Sequence, residues 1–520
     1  MSWRTRLLQP VMALLVSLLV SLLVSFMAPE LRAAPPELER PADDFRRSDP
    51  AEQDLAPVAE SSGLLRLSDV AEHRRVLTLA EVLASVAEHD PRLDAAEQAI
   101  AGADGKLLSA RGGFDTRARV RGMVEPIGYY RSGVIDVRVE QPTPAYGLTA
   151  WAGWRIGVGD FPVYEGKLLT TAGGEVSAGL SLPLWRDGAI DRRRADIRQA
   201  KLERERLDRV LDARTLGLEA DAAKAYWTWV ASGLRLEIER TLLELALERD
   251  VGIRRQIELG ASEALVGIDN RRVILAREAR VVAVERSFQK AALALSLYLR
   301  DGAGDPLLAG SERLPSGLPE LPAPELVDIE AEVAAAIERR PDRDARLANR
   351  EQAEVELRWA RNQRAPKIDV SSWLAKDLGT GPASLQPLEW VAAIELEIPI
   401  PLRQARGRVQ SANAEVGKID AELRLLDDTI AVEVLDAHSA VAAAYQRARL
   451  AGEQVALAQA LAEAEYRRFS LGAGDLLSVN LRELASADAA SEQVQAVADF
   501  FIAKAELEVA KGEEVERVGP

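Results

Sequence analysis

Residues 467–480 read RRFSLGAGDLLSVN, and an alanine-rich amphipathic stretch runs into this segment and another runs out of it. Gly472 and Gly474 sit close together at its centre. Two glycines so near each other end a helix, and glycine accepts the positive φ that a helix reversal demands. A second copy lies upstream: residues 255–265 read RQIELGASEAL. At an offset of 212 positions, Arg255, Leu259-Gly260-Ala261 and Leu265 fall on Arg467, Leu471-Gly472-Ala473 and Leu477. The segment is therefore one of two equivalent turns between long helices.

The duplication extends further. At an offset of 250, His89–Arg111 falls on Arg339–Arg361, with Pro91 on Pro341, Asp94-Ala95 on Asp344-Ala345, and Ala103, Leu107 and Ala110 on Ala353, Leu357 and Ala360. Leu182-Pro183-Leu184 corresponds to Ile398-Pro399-Ile400, which makes Pro183 and Pro399 the joints where strand gives way to helix. Each half runs helix, strands, long helix, turn, helix. Such self-similarity sets the architecture. It divides the chain into a first repeat at 77–300, a linker at 301–324, a second repeat at 325–511 and a tail at 512–520. The linker is rich in proline and glycine.

The helices are too long for a compact domain. One pattern runs from near Gly188 to Glu258, about 70 residues, or roughly 100 Å at the usual rise. Its twin runs from about Gly407 to Ser470, with Leu423, Leu426, Ile430, Val434, Ala437 and Val441 stepping by three or four as in an antiparallel coiled coil.

Four segments alternate with period two, at about 115–125, 174–184, 367–375 and 390–400. Ala393-Ile394-Glu395-Leu396-Glu397-Ile398 is the clearest. One face is apolar, the other carries full charges, and Trp185, Trp373 and Trp390 lie near strand ends. That pattern suits strands with lipid on one side and water on the other. Four strands cannot close a barrel, and an open edge leaves backbone groups unpaired in lipid, so the barrel must be shared among subunits. Val134–Gly157 also looks β-like, but it contains or adjoins Pro142 and Pro144 and has no counterpart in the second half; it reads as part of an outer-loop elaboration at 126–173.

Arg4 and Arg6 precede an apolar run from Val11 to Met27, with Ala33-Ala34 after it. These are the parts of a secretory signal, expected over 1–34, with a flexible Pro-, Asp-, Glu- and Ser-rich lead-in at 35–76. The net charge of -16 argues against a nucleic-acid partner. Cysteine is absent, which rules out disulfides, thiolate metal sites and a lipid carried on cysteine. Histidine occurs only at positions 73, 89 and 438. No phosphate loop, zinc spacing or nucleophile motif is present, so no enzyme, no cofactor, no metal and no catalytic residue is expected. His89-Asp90-Pro91 could suggest a catalytic pair, but its twin reads Arg339-Arg340-Pro341, and a helix-turn feature is the better reading. Arg192-Arg193-Arg194 stands where a helix leaves the strands.

LTLAEVLASVAEHDPRLDAA (77–96), both SAR/WAR helix ends, LSLPLWRDG (180–188), LEIPIPLRQARGR (396–408) and AEYRRFSLGAGDLLSVN (464–480) together resemble the outer-membrane efflux proteins, the TolC-like exit ducts, over Leu77–Lys511. The resemblance implies a mainly α duplicated fold in a homotrimer, with a shared 12-stranded β-barrel in the outer-membrane lipid and an α-barrel of antiparallel coiled coils across the periplasm. It implies docking on a periplasmic adaptor (membrane fusion) protein and an inner-membrane pump of RND or ABC type. The adaptor would meet the two turns, at Leu259, Gly260, Ala261 and Leu471, Gly472, Ala473. Relatives often narrow the tunnel near the tip with rings of acids; here the usual positions hold Ser478 and Leu481, and the candidates are Asp269, Asp475 and Glu483. The competing reading is a periplasmic coiled-coil adaptor or scaffold anchored by its N-terminus. Such a protein would show one helical hairpin, whereas this sequence carries two.

Overall fold

The computed structural model describes residues 75–518 apart from 163–167, 262, 324–326 and 399. The signal segment, nearly all of the lead-in and Pro399 lie outside the described residues. The first half runs α1 (Leu79–His89), α2 (Pro91–Arg111), β1 (Arg117–Glu125), β2 (Ser132–Pro142), β3 (Thr149–Gly159), β4 (Glu175–Pro183), α3 (Arg192–Glu258) and α4 (Ala264–Leu295). The second runs α5 (Ile329–Arg339), α6 (Pro341–Asn362), β5 (Lys367–Asp377), β6 (Glu389–Glu397), α7 (Arg403–Ser470) and α8 (Leu476–Ala510).

The long helices α3 and α7 have 67 and 68 residues, about 100 Å each at 1.5 Å per residue. Each starts at the sheet and ends at a turn. The return path is made by shorter helices, interrupted at a proline in both halves. Pro91 and Pro341 occupy the first turn of α2 and α6, where a missing N–H costs nothing. Asp90 caps α2 by accepting from the Arg92 N–H at 2.9 Å. So His89-Asp90-Pro91 is a helix junction, as its twin suggested.

At the middle of the rods an aromatic cluster joins α3, α8, α4 and α1. Trp227 stacks on Phe501 with centroids 4.6 Å apart, and Tyr226 donates to the Leu77 carbonyl at 2.9 Å. Trp229, Phe288 and Phe500 complete it, all buried. The proline-rich linker packs here too: Trp229 donates to the Ala309 carbonyl, and Gly233 leaves the space into which Leu314 fits.

One expectation is corrected. The sheet has six strands, not four, in the order β1-β2-β3-β4-β5-β6, every pair antiparallel. Residues 126–173 are not an outer loop alone, because they hold β2 and β3 between the expected neighbours β1 and β4. Pro142 does not break a strand because it ends one. β3, TAWAGWRIGVG, was hard to see because glycine and alanine dilute its alternation.

Candidate functional site

The two turns are built alike, hydrogen bond for hydrogen bond. The Gly260 N–H donates to the Ile257 carbonyl at 3.0 Å and the Ala261 N–H to the Gln256 carbonyl at 2.8 Å. The Gly472 N–H donates to Phe469 and the Ala473 N–H to Arg468, both at 2.9 Å. This is the paired six-to-one and five-to-two closure of a Schellman motif, which satisfies carbonyls left over at a helix end. Gly260 and Gly472 have φ of 71° and 76°. A Cβ at either would meet nothing, so the sign of φ alone requires glycine. Leu259 and Leu471 are 71% and 83% exposed. Leu265 and Leu477, six residues on in each copy, are also exposed.

The acids singled out from sequence take three different places. Asp475 is the N-cap of α8: it accepts from the Ser478 N–H at 2.8 Å and from the Ser478 hydroxyl at 2.9 Å. Those bonds hold its carboxyl below the usual carboxylate range. Asp269, in the first turns of α4, pairs with Arg272 at 3.0 Å. Glu483 is enclosed. Its carboxylate pairs with Arg249 of α3 and, at 3.0 Å, with Arg277 of α4.

Around Glu483 lies a buried polar network that sequence reasoning missed. Arg277 also donates to the Leu242 carbonyl at 2.6 Å, and Arg249 to Asn480 at 2.8 Å. Asn270 donates to Asp250 at 2.8 Å, and Arg280 reaches Glu239 at 2.6 Å and Asp488. Burial pulls the Arg277 pKa down, against the pull of Glu483. Three helices thus meet through one carboxylate and two guanidiniums. The signal was present: the buried stripe of α4 reads Asn270, Ile274, Arg277, with Phe288 further along, and two polar residues on an apolar stripe ask for partners.

At the other end, the sheet sorts its side chains by face. The register aligns Arg121 with Asp136 and Asp136 with Arg155, then Arg155 with Glu175 and Glu175 with Asp377. Arg117, Arg119, Arg138, Glu140, Ser177, Ser181, Asp369, Glu395 and Glu397 share that polar face, together with Trp151 and Trp373. The opposite face carries Val120, Val139, Ile156, Leu180, Leu374, Ile394 and Leu396. Much of that face is solvent-exposed in the single chain: Val120, Leu180, Ile394 and Leu396 all exceed half exposure. Trp154 stands on this apolar face at mid-strand and Trp390 near the end away from the helices, and Trp185 is exposed just beyond the helix end. Strands of 9 or 11 residues match a tilted crossing of a bilayer. Pro183 ends β4 at the joint with α3, where Gly147 of the β2–β3 turn comes so close that a Cβ there would lie 2.7 Å from the Pro183 ring.

Among the described residues, no helix is long and apolar enough to cross a membrane, and no cluster of His, Cys, Asp or Glu is arranged to hold a metal. No family model and no curated protein matches the chain. Solved structures do. The chain is similar to the CmeC outer membrane channel of Campylobacter jejuni, with a TM-score of 0.60 at 13% identity over 84% of this chain and 86% of that one. It is similar to the outer membrane protein VceC of Vibrio cholerae, with a TM-score of 0.57 at 16% identity over 84% and 97%. For the open state of the MtrE outer membrane channel of Neisseria gonorrhoeae the TM-score is 0.58 at 17% identity over 85% and 90%. The fold built from these long paired helices, twin turns and sheet is that of the TolC-like outer-membrane efflux channels.

Proposed function

We propose that the chain is the outer-membrane exit duct of a tripartite efflux or type I secretion system, exported by its N-terminal signal and assembled as a homotrimer. The observation that carries this reading is the pairing of an apolar, exposed sheet face at one end with two matched helix turns about 100 Å away at the other. A lipid environment removes the cost of that exposed face. The polar face then lines water, and passage needs no covalent chemistry, so the chain acts as a passive conduit and not as an enzyme.

The twin turns are the docking ends. Each presents an exposed leucine pair, Leu259 with Leu265 and Leu471 with Leu477, around a glycine with no side chain. A periplasmic adaptor hairpin would cover the same surface twice per chain, and an inner-membrane pump of RND or ABC type would lie beyond it. Asp269, in an exposed pair with Arg272, and the exposed N-cap Asp475 would be the acids that influence ions at the tip, since Glu483 is enclosed between two buried arginines.

Fractionation and electrical recording test this. The mature protein should partition with the outer membrane, run as a heat-sensitive trimer, and form cation-preferring channels in planar bilayers. Recovery in the soluble fraction or with the inner membrane would refute the duct. Unchanged conductance and ion preference in Asp269→Asn/Asp475→Asn would remove those two acids from the gate.

A further inference from the structure

The two edges of the sheet carry opposite charge. β1, at one edge, places Arg117, Arg119 and Arg121 on the polar face. β6, at the other, places Glu389, Glu395 and Glu397 on the same face. The three arginines are exposed, and among the described residues none of them has an ion-pair partner. Glu395 is 66% and Glu397 57% exposed, although each already touches one cation, Lys367 at 3.3 Å and Arg186 at 3.2 Å. Both strands also leave a row of backbone groups unpaired, which lipid does not tolerate.

The hairpin β2–β3 belongs to the same wall. Its residues continue both faces without a register break, from Arg121 through Asp136 and Arg155 to Glu175, and from Val120 through Val137 and Trp154 to Val176. Its turn sits at the helix end of the sheet and is seated there: the Thr143 N–H donates to the Leu148 carbonyl at 2.8 Å, and Gly147 packs on Pro183. An outward loop would share neither property.

We propose, resting on the duct reading, that the basic β1 edge of one copy pairs antiparallel with the acidic β6 edge of the next, and that every chain gives six strands to the wall. The even strand number lets the up-and-down alternation continue across each junction. The two faces must also continue, so the register can change only in steps of two. Aligning the helix-side ends sets Arg117 opposite Glu397 and Arg119 opposite Glu395. A shift of two sets Arg119 and Arg121 opposite the same two glutamates. Either way each junction is closed by two guanidinium–carboxylate pairs on the water side. Three copies would enclose 18 strands where the resemblance implied 12. Since barrel diameter grows roughly linearly with strand number, the opening would be about one and a half times as wide.

The absence of native cysteine makes the test direct, because every introduced thiol is unique. The full-length protein would be expressed in outer membranes as Arg117→Cys/Glu397→Cys, Arg119→Cys/Glu395→Cys, and the two pairs of the shifted register, then oxidised. One register should give disulfide-linked species of two and three chain masses. Cross-linking within single chains only, or none in any pair while the channel still inserts, overturns the edge pairing. In a second set, Val137→Cys, Ile156→Cys, Arg138→Cys and Gly153→Cys would carry a fluorophore, quenched from lipid by a nitroxide or from water by iodide. The charges at the junction stay intact in these variants. Lipid quenching at 137 and 156 with iodide quenching at 138 and 153 supports a six-stranded wall. Iodide quenching at all four sites in a membrane-inserted channel overturns it and leaves the duct reading standing. Failure to enter the membrane at all overturns both.

Discussion

The two helical hairpins have nearly the same length and the same turn, yet the first adds to its apolar contacts a buried charged network that the superposed positions of the second lack. In the first, α3 and α4 share the aromatic cluster through Trp229 and Phe288, and nearer the turn they meet through Arg249, Asp250, Asn270 and Arg277, closed by Glu483 from α8. In the second, α7 and α8 bury small apolar residues, Ala444, Ala448, Ala451, Val455 and Ala487. At the offset that superposes the turns, Arg249, Asp250 and Arg277 meet Leu461, Ala462 and Ala489. Duplication therefore preserved what geometry fixes, the rod length and the reversal, and left the seam free to diverge. An alanine seam favours close, permanent contact through dispersion. A buried charged seam is different: it holds only while every partner is present, because a lone buried charge is expensive.

The sharpest way to break this contrast is Glu483→Ala. It strands two buried guanidiniums, and should cost about 3–5 kcal/mol. Faster amide hydrogen exchange in α4 than in α7 would register the loss; equal protection would show that the network is not what joins the first hairpin. Next in size is Ala448→Leu, which forces a larger side chain into the tight seam of α7 and α8 and should cost about 1–3 kcal/mol. Its effect should be confined to the second hairpin in the same exchange experiment. Gly260→Ala and Gly472→Ala should each cost about 1–2 kcal/mol, because alanine pays for positive φ at either turn. Equal losses in melting temperature would confirm the equivalence of the two turns, and Asn in place of Ala should recover part of each.

The smallest effect belongs to the proline junctions. In one half Asp90 precedes Pro91 and Arg92 follows it; in the other Arg340 precedes Pro341 and Asp342 follows. The order is reversed but the bond is the same two-pronged pair, with Nε to Oδ1 at 2.9 Å in both. Burial alone would raise both carboxyls, but the hydrogen bonds from Arg92 and Arg340 win and hold them below the ordinary value of 3.8. A depressed folded pKa contributes stability above the unfolded pKa, and this is lost as pH falls through the folded value. Both junctions should thus weaken below about pH 4. Asp90→Asn and Asp342→Asn should each flatten that acid limb and cost about 1 kcal/mol at neutral pH, read from thermal melts across pH. A flattened limb in only one variant would mean that the reversed pairs are not equivalent.

What could be read from the sequence was what repeats. The glycine turns, the proline junctions and the long helices each occur twice, and each copy validates the other. β2 and β3 occur once, so Val134–Gly157 had no twin to vouch for it, and Pro142 and the small residues of β3 masked its period. The Glu483 network was hidden for another reason. Its partners are separated by 206 and 234 residues, and charges on a helix ordinarily face water. The positions of Asn270 and Arg277 on an apolar stripe betrayed it.

The proline junctions also bear on how the rods carry load. α3 and α7 run unbroken, whereas their companions are spliced from shorter pieces, α4 with α5 and α6, α8 with α1 and α2. Along its sheet side α3 is gripped by α2 and α6, as in the Arg204–Asp104 and Arg192–Glu356 pairs, and along its turn side by α4. The α1–α2 splice packs into the cluster of Trp227 and Phe501, and at the α5–α6 splice Arg340 donates to the Ala510 carbonyl at the end of α8. Pulling along the axis strains backbone hydrogen bonds in the continuous members. Bending at the height of the splices must also bend α3 and α7, whose backbone ladders cross it unbroken, and the packed rings resist it beside them. The two unbroken helices therefore carry axial load past every proline junction, and the spliced helices need only brace them from the side.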